Sequence, residues 1–264
     1  MKKLFFLLLT APLFLFTSCD DDTVLSNTAS VQLNFKAVYD GEPLVFQNSA
    51  YQYKYPEGNQ IRFTDLKFFI SDVALLQEEG GEESKLVDIE YVNFSNNTTL
   101  EEAQRSTSLS FDNIPVGQYK ALRIGIGVPA NLNNENYSTY DENHPLRKNS
   151  GEFWAGWNSF IFMKINGSYD IGGDGLGNGT DASIAHHLGG NQFYKTIILS
   201  KAINIEPDQN MELNLELDLA KLYQNSAAEI LDLSDNANWG THDQSKVDAI
   251  SFMTNNYGQA FSLK

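Results

Sequence analysis

Met211-Glu212-Leu213-Asn214-Leu215-Glu216-Leu217-Asp218-Leu219 alternates apolar and polar residues without a break. A period of two belongs to a strand with one buried and one wet face. The same rhythm recurs upstream. Val31, Leu33, Phe35 and Ala37 alternate with Gln32, Asn34 and Lys36. Leu66, Phe68 and Ile70 continue toward Val73 and Leu75, and Leu122, Ile124, Ile126 and Val128 repeat the pattern. Phe160 to Ile165 is strongly apolar, and Tyr194 to Leu199 is rich in β-formers. Clusters of Gly, Asn, Asp and Pro separate these stretches. Short strands with turn signals between them predict an all-β protein, an antiparallel β-sandwich of Greek-key or immunoglobulin-like type.

Helical signals are few. Asp218 to Tyr223 suits one or two turns. Ser245 to Asn255 is the one short C-terminal helix expected, with Val247, Ile250 and Met253 on its apolar face and Ser245 as its cap. Phe261 and Leu263 end the chain as a short strand. Long loops fall at 46–60, 77–85, 130–152, 169–183 and 224–244. Such loops on a rigid sheet are where sites are built.

The chain opens with Met1-Lys2-Lys3, an apolar run from Leu4 to Phe16, and then Thr17-Ser18-Cys19. A positive start, a short apolar stretch and small residues before a cysteine read as a secretory signal over 1–18 with a lipoprotein-type cleavage site. The run is short of the roughly 20 residues that span a membrane. Cys19 becomes the lipidated N-terminus, and the lipid is the membrane attachment. Residues 19–29 form an acidic tether, and 30–264 one sandwich domain. Asp20-Asp21-Asp22 resembles the acidic tract that sends lipoproteins to the outer membrane in bacteria related to Bacteroides. The expected place is the cell envelope, at the periplasmic or surface face of that membrane.

Composition narrows the function. The formal net charge is −16 and there is one cysteine. Phosphate backbones repel such a chain, so nucleic acid is no expected partner. With Cys19 lipidated, neither a disulfide nor a thiolate metal site can form. Phosphate loops, dinucleotide fingerprints, nucleophile elbows and His-Glu-x-x-His motifs are absent from the sequence. The expectation is a binding protein without turnover of its own.

Four histidines, His144, His186, His187 and His242, all fall in the later part of the chain. Imidazole suits copper and zinc. Trp154 and Trp157 follow the first of them, and Trp239 stands three residues before the last.

These residues carry a resemblance. His144-Pro145-Leu146, then Phe153-Trp154 through Asn158-Ser159-Phe160-Ile161-Phe162-Met163-Lys164, then His187-Leu188-Gly189-Gly190 resemble the successive landmarks of the MbnP-like family. That family is named for its methanobactin-associated member. The likeness extends back to Phe68-Phe69-Ile70-Ser71-Asp72-Val73 and forward to Asn255, Asn256 and Phe261-Ser262-Leu263. It implies a copper-binding β-sandwich in which a partner enzyme of the dihaem peroxidase type oxidises a tryptophan to kynurenine. It also implies that histidines and the modified residue hold the copper. Carried onto this chain, the resemblance makes His187 and His144 the first ligand candidates, Trp154 the tryptophan beside them, and His242 a further candidate. His186 is implied as an outer partner, and Glu152, Asp141 and Asp243 stand near enough in sequence to orient the ligand rings. The family commonly shows Trp-x-Trp, whereas this chain has Trp154-Ala155-Gly156-Trp157. On a strand, an offset of one turns the second indole to the other face.

A possible calcium loop lies at 170–181, where Asp170, Asp174, Asn178 and Asp181 are spaced by glycines. Its spacing fails the EF-hand pattern, and a hairpin tip is the plainer reading. The rival to a metal protein is a tethered interaction module for glycan or protein, with Tyr51, Tyr53, Tyr55, Tyr137 and Tyr140 as an open aromatic platform.

Overall fold

A computed structural model describes residues 27–46, 50–77, 83–175, 177, 181–243 and 245–264. The signal segment, Cys19 and most of the tether lie outside the described residues, as does Asn178. The first seven strands are β1 (Thr28–Tyr39), β2 (Glu42–Pro43), β3 (Tyr53–Lys54), β4 (Gln60–Leu76), β5 (Glu83–Asn93), β6 (Thr107–Pro115) and β7 (Gly117–Ile126). The next six are β8 (Phe153–Trp154), β9 (Ser159–Tyr169), β10 (Ala182–Gly189), β11 (Lys195–Ile205), β12 (Asn210–Asp218) and β13 (Phe261–Leu263). Helices are short: α1 (Leu100–Gln104), α2 (Pro145–Lys148), α3 (Ala220–Tyr223), α4 (Val247–Asn255) and α5 (Tyr257–Ala260).

Two sheets face each other. One runs β13-β12-β1-β2, with β6 also paired to β1; the other runs β10-β9-β4-β7-β11, with β3 and β5 on β4 and β8 on β9. The alternation in β1 and β12 does what its period requires. Val31, Leu33 and Phe35, and Leu213, Leu215 and Leu217, are all buried. Aromatic side chains lock the layers together: Phe35 meets Phe68 of β4 at 6.4 Å, and Phe68 meets Phe261 of β13 at 5.6 Å. Such ring pairs add to the burial of apolar area that drives the layers together.

Among the described strands, every pairing but one is antiparallel. β1 and β12 pair in parallel from Ser30 opposite Asn210 to Val38 opposite Asp218. A parallel pair needs a long crossover, and the whole second sheet lies in sequence between these two strands. Alternation within a strand carries no information about its partner's direction.

Three other expectations need correction. β5 and β6 are not among the expected strands: they are half-exposed edge strands with few buried side chains, and their alternation, Val87-Asp88-Ile89-Glu90-Tyr91 and Leu109-Ser110-Phe111-Asp112, is short. The C-terminal helix begins at Val247 after Lys246, and Ser245 makes no side-chain cap. Its buried face is Ala249, Ile250, Met253 and Thr254, while Val247 is exposed. Tyr51, Tyr53 and Tyr55 are buried rather than displayed, and Tyr53 and Tyr55 join the core. The Tyr55 hydroxyl donates to the Leu231 carbonyl. A platform of open tyrosines is therefore not built from this segment.

One feature of the second sheet positions the site. β4 is 17 residues long. Its earlier half pairs with β9 up to Phe68, and its later half pairs with β7 from Ile70 onward. β5 pairs with β4 from Lys67 to Leu76, so it flanks the half that pairs with β7 and overlaps the β9 half only at Lys67 and Phe68. The sheet thus splits at Phe69, whose carbonyl accepts the Gly127 N–H at 2.8 Å. The long segment between β7 and β9 leaves through the split. Buried Asn133 fills it: its Oδ1 accepts the Phe160 N–H at 2.7 Å, and its Nδ2 donates to Ser159 Oγ and Asn191 Oδ1. Its carboxamide supplies hydrogen bonds where the broken ladder cannot, which buried backbone groups require.

Candidate metal centre

The adjacent histidines of β10 point to opposite faces, as successive strand residues must. His186 faces inward and is fully buried. Its Nε2–H donates to the Asn238 carbonyl at 2.7 Å, and the Tyr223 hydroxyl donates to its Nδ1 at 3.0 Å. Burial pushes its pKa down to about 4, so the ring is neutral. His186 is a structural pin that ties the loop before His242 to the core.

His187 faces outward. Its strand edge is covered by a short run that lies alongside β10. The Ala185 N–H donates to the Trp239 carbonyl at 2.8 Å, and the Thr241 N–H to the Ala185 carbonyl at 3.1 Å. Buried Thr241 then clamps His187 itself, since its hydroxyl accepts the His187 N–H at 2.7 Å and donates to the His187 carbonyl at 2.9 Å. Trp239 anchors the same run by donating its indole N–H to the Leu233 carbonyl. The next residue after the clamp is His242. Its ring centroid stands 4.4 Å from that of His187, at an angle of 62°.

Trp154 completes the group. Its ring lies edge-on to both histidines, 5.4 Å from His242 and 6.2 Å from His187. Trp154 stacks on Trp157 at 5.0 Å, with the two planes within 8° of parallel. The offset in the tryptophan pair thus has an outcome opposite to the strand expectation. Residues 155–158 form a turn, with the Trp157 N–H donating to the Trp154 carbonyl at 3.0 Å. A turn folds the second indole back onto the first, where a strand would have sent it through the sheet.

The His-Leu-Gly motif now has a physical reading. His187 faces the site and Leu188 is buried in the core. Gly189 lies under Trp157. A Cβ there would sit 2.7 Å from the Phe160 carbonyl oxygen and 3.3 Å from Trp157 Cζ3. Only glycine lets the indole approach this closely. Glu152 fixes the other side of the site. Its carboxylate accepts from Lys164 Nζ at 3.1 Å and from the Tyr91 hydroxyl at 3.0 Å, which ties the segment before Trp154 to β9 and β5.

An open cleft of about 490 Å³ results, lined by Gly151, Phe153, Trp154, Ile161, His187 and His242. A neighbouring groove shares Trp154 and His242 and adds Gly156, Trp157 and Asp243. Burial pushes the His187 pKa down to about 3, and His242 and Lys164 nearby push the same way. The ring is therefore neutral near pH 7, with a lone pair on one nitrogen.

The remaining candidates lie elsewhere or do other work. His144 caps α2: its Nδ1 accepts the Leu146 N–H at 3.2 Å, and its ring stacks on Tyr140 at 4.0 Å. It does not line the cleft. Among the described residues, no three His, Cys, Asp or Glu side chains converge as a metal-holding group. Asp243 accepts the Ser245 N–H and Asp141 the Asn143 N–H, each capping its own turn. Asp170, placed in a calcium loop by its spacing, is buried and closes the loop on itself. Its two carboxylate oxygens accept the N–H groups of Gly173 and Gly175, both at positive φ. The loop's own backbone satisfies that carboxylate, and the structure gives calcium no support there. Sequence reasoning missed Thr241 and Asn166; the latter accepts the Nε2–H of His187 at 3.0 Å. No motif flagged either, because each acts through a neighbour in space.

Comparisons with known proteins agree with the architecture. The family model MbnP matches residues 28–243. No curated protein sequence matches the chain. Among solved structures, the chain is similar to "MbnP from Methylosinus trichosporium", with a TM-score of 0.57 at 14% identity, over 90% of this chain and 99% of that one. At that identity the likeness speaks for the fold alone. The family match takes in β1 through the His242 loop, the span that contains every side chain of the cleft, and on it the chain belongs to the MbnP family.

Proposed function

We propose that this protein is a copper-binding protein of the bacterial cell envelope, and that His187 and His242 hold the ion beside Trp154. The observation that carries the reading is the approach of the two imidazoles to 4.4 Å, with one indole edge-on to both. The donor set fits copper better than the alternatives. Calcium and magnesium take oxygen ligands, and no carboxylate lines this cleft. Structural zinc takes four nitrogen or sulfur ligands, and only two imidazoles are present. Imidazole suits copper, and copper stands above zinc in affinity at a comparable site.

Two nitrogens leave room for a third donor, and an indole ring offers no lone pair for the purpose. Conversion of Trp154 to kynurenine supplies an aromatic amine at that place. A dihaem peroxidase-type partner is the source of the oxidation. Trp154 is half-buried at the mouth of the cleft, which supports its accessibility to such a partner. Copper bound here is cargo or a stored ion: the cleft holds no paired acid and base for turnover. Attachment to the outer membrane through a lipid on Cys19 keeps the sandwich outside the cytoplasm.

Copper titration of the purified chain tests the reading. Wild-type protein binds one copper ion per chain, and His187→Ala and His242→Ala each weaken that binding strongly while His144→Ala does not. Equal binding by all four proteins refutes the assignment. Intact-mass measurement of protein from the native host reads the state of Trp154, and an unmodified mass there removes the kynurenine part alone.

A further inference from the structure

The geometry points to Asn166 as the residue that selects which nitrogen of His187 is offered to a ligand. We infer that its side-chain oxygen holds the ring in the Nε2–H tautomer and leaves Nδ1 as the lone pair. This assignment rests on the copper reading only for its consequence; the tautomer itself stands on the metal-free protein.

The argument begins with register. In the β9–β10 ladder, His187 is opposite Lys164 and Ala185 is opposite Asn166. Lys164, Asn166, Ala185 and His187 therefore share one face of the sheet. Asn166 is the diagonal neighbour of His187, a distance that long side chains bridge. Across from Asn166 are Ala185 on β10 and Asp65 on β4; alanine has no polar side-chain atom and a carboxylate only accepts, so neither competes for the Asn166 side-chain oxygen. Asn166 Oδ1 lies 3.0 Å from His187 Nε2. An amide oxygen only accepts, so the ring nitrogen must carry the proton. A neutral imidazole carries a single proton, which leaves Nδ1 unprotonated.

The rest of the surroundings reinforce a fixed ring. The His187 backbone is held at both N–H and C=O by Thr241. Lys164, directly across from His187, is tied to Glu152 and offers the ring no acceptor. Lys67, two strands over, pairs with Asp65. Asn166 is thus the acceptor that decides the tautomer. Outer partners of this kind raise ligand basicity and commonly carry roughly 10–100-fold of metal affinity. Asn166 is a positioning residue in this account, since it acts through His187.

The test uses the full soluble chain, ¹⁵N-labelled and metal-free, near pH 7. Long-range ¹H–¹⁵N correlation spectra are expected to show His187 as the Nε2–H form. Asn166→Leu removes the acceptor, mixes the tautomers and weakens copper binding by about 10–100-fold. Asn166→Asp keeps an acceptor oxygen in place and restores both the tautomer and the affinity. A wild-type ring found as the Nδ1–H form overturns the proposal, and so does wild-type affinity in Asn166→Leu. If wild type shows the Nε2–H form yet takes up no copper, the copper reading falls and the role of Asn166 in holding the ring is supported.

Discussion

Gly189→Ala and Gly151→Ala make the same chemical change 38 positions apart in one chain, and the structure assigns them opposite signs. At Gly189 a methyl group would lie 2.7 Å from the Phe160 carbonyl oxygen, a backbone atom that cannot swing aside. It would also lie 3.3 and 3.4 Å from two ring carbons of Trp157. Overpacking of this kind costs roughly 1–3 kcal/mol. The smaller entropy of unfolded alanine returns about 0.4–1 kcal/mol. The net expectation is a loss of about 1–2 kcal/mol, and Trp157 is pushed off Trp154. At Gly151 nothing lies within 4 Å of the added carbon and φ is not positive. Only the unfolded-state effect remains there, a gain of about 0.4–1 kcal/mol. Urea unfolding followed by far-UV circular dichroism gives both numbers. The exciton signal of the stacked indoles, assigned by its loss in Trp157→Phe, reports whether the pair has moved. If Gly189→Ala matches or exceeds Gly151→Ala in stability and keeps the exciton band, Gly189 is not the floor of the tryptophan stack.

The other expectations concern the histidines and the Asp170 loop. His187→Ala or His242→Ala removes one of two nitrogens and weakens copper binding by more than the roughly 10–100-fold cost of losing an outer partner; isothermal titration checks this. His144→Ala removes a cap, lowers stability by about 1 kcal/mol or less and leaves copper affinity unchanged; the same titration with urea melts separates the two effects. His186→Leu strands the Tyr223 hydroxyl and the Asn238 carbonyl in the core, with an expected loss of about 2–5 kcal/mol in urea unfolding, since each unsatisfied buried group costs about 1–3 kcal/mol. Asp170→Ala removes two hydrogen bonds from loop N–H groups to a carboxylate and lowers stability by about 2 kcal/mol, while added calcium leaves the melting temperature of wild type unchanged.

Much of the fold is legible in the chain because strand burial is a local property. Val31 to Ala37 and Met211 to Leu219 carry their two faces in their own alternation, and both bury the face that the pattern names. The edge strands β5 and β6 alternate too, in Val87-Asp88-Ile89-Glu90-Tyr91 and Leu109-Ser110-Phe111-Asp112, but over shorter runs that bury few side chains. The parallel pairing of β1 with β12 is invisible because side-chain periodicity is the same in either direction.

The candidate site divides along the same line. Sequence by itself determined the ingredients: histidines in the later loops, tryptophans beside them, and a His-Leu-Gly motif on a β-rich frame. The family resemblance, carried onto its motifs, ranked His144 above His242. Only the tertiary structure sets His242, and not His144, beside His187. Residues 239–241 run along the edge of β10, and the hydroxyl of Thr241 grips the backbone of His187, which sets His242 against it. His144 meanwhile caps a helix on the segment that leaves the split in the sheet. Hydrogen bonds between residues 54 positions apart bring those two rings together, and no local pattern encodes a contact whose energy exists only after both strands have been laid down.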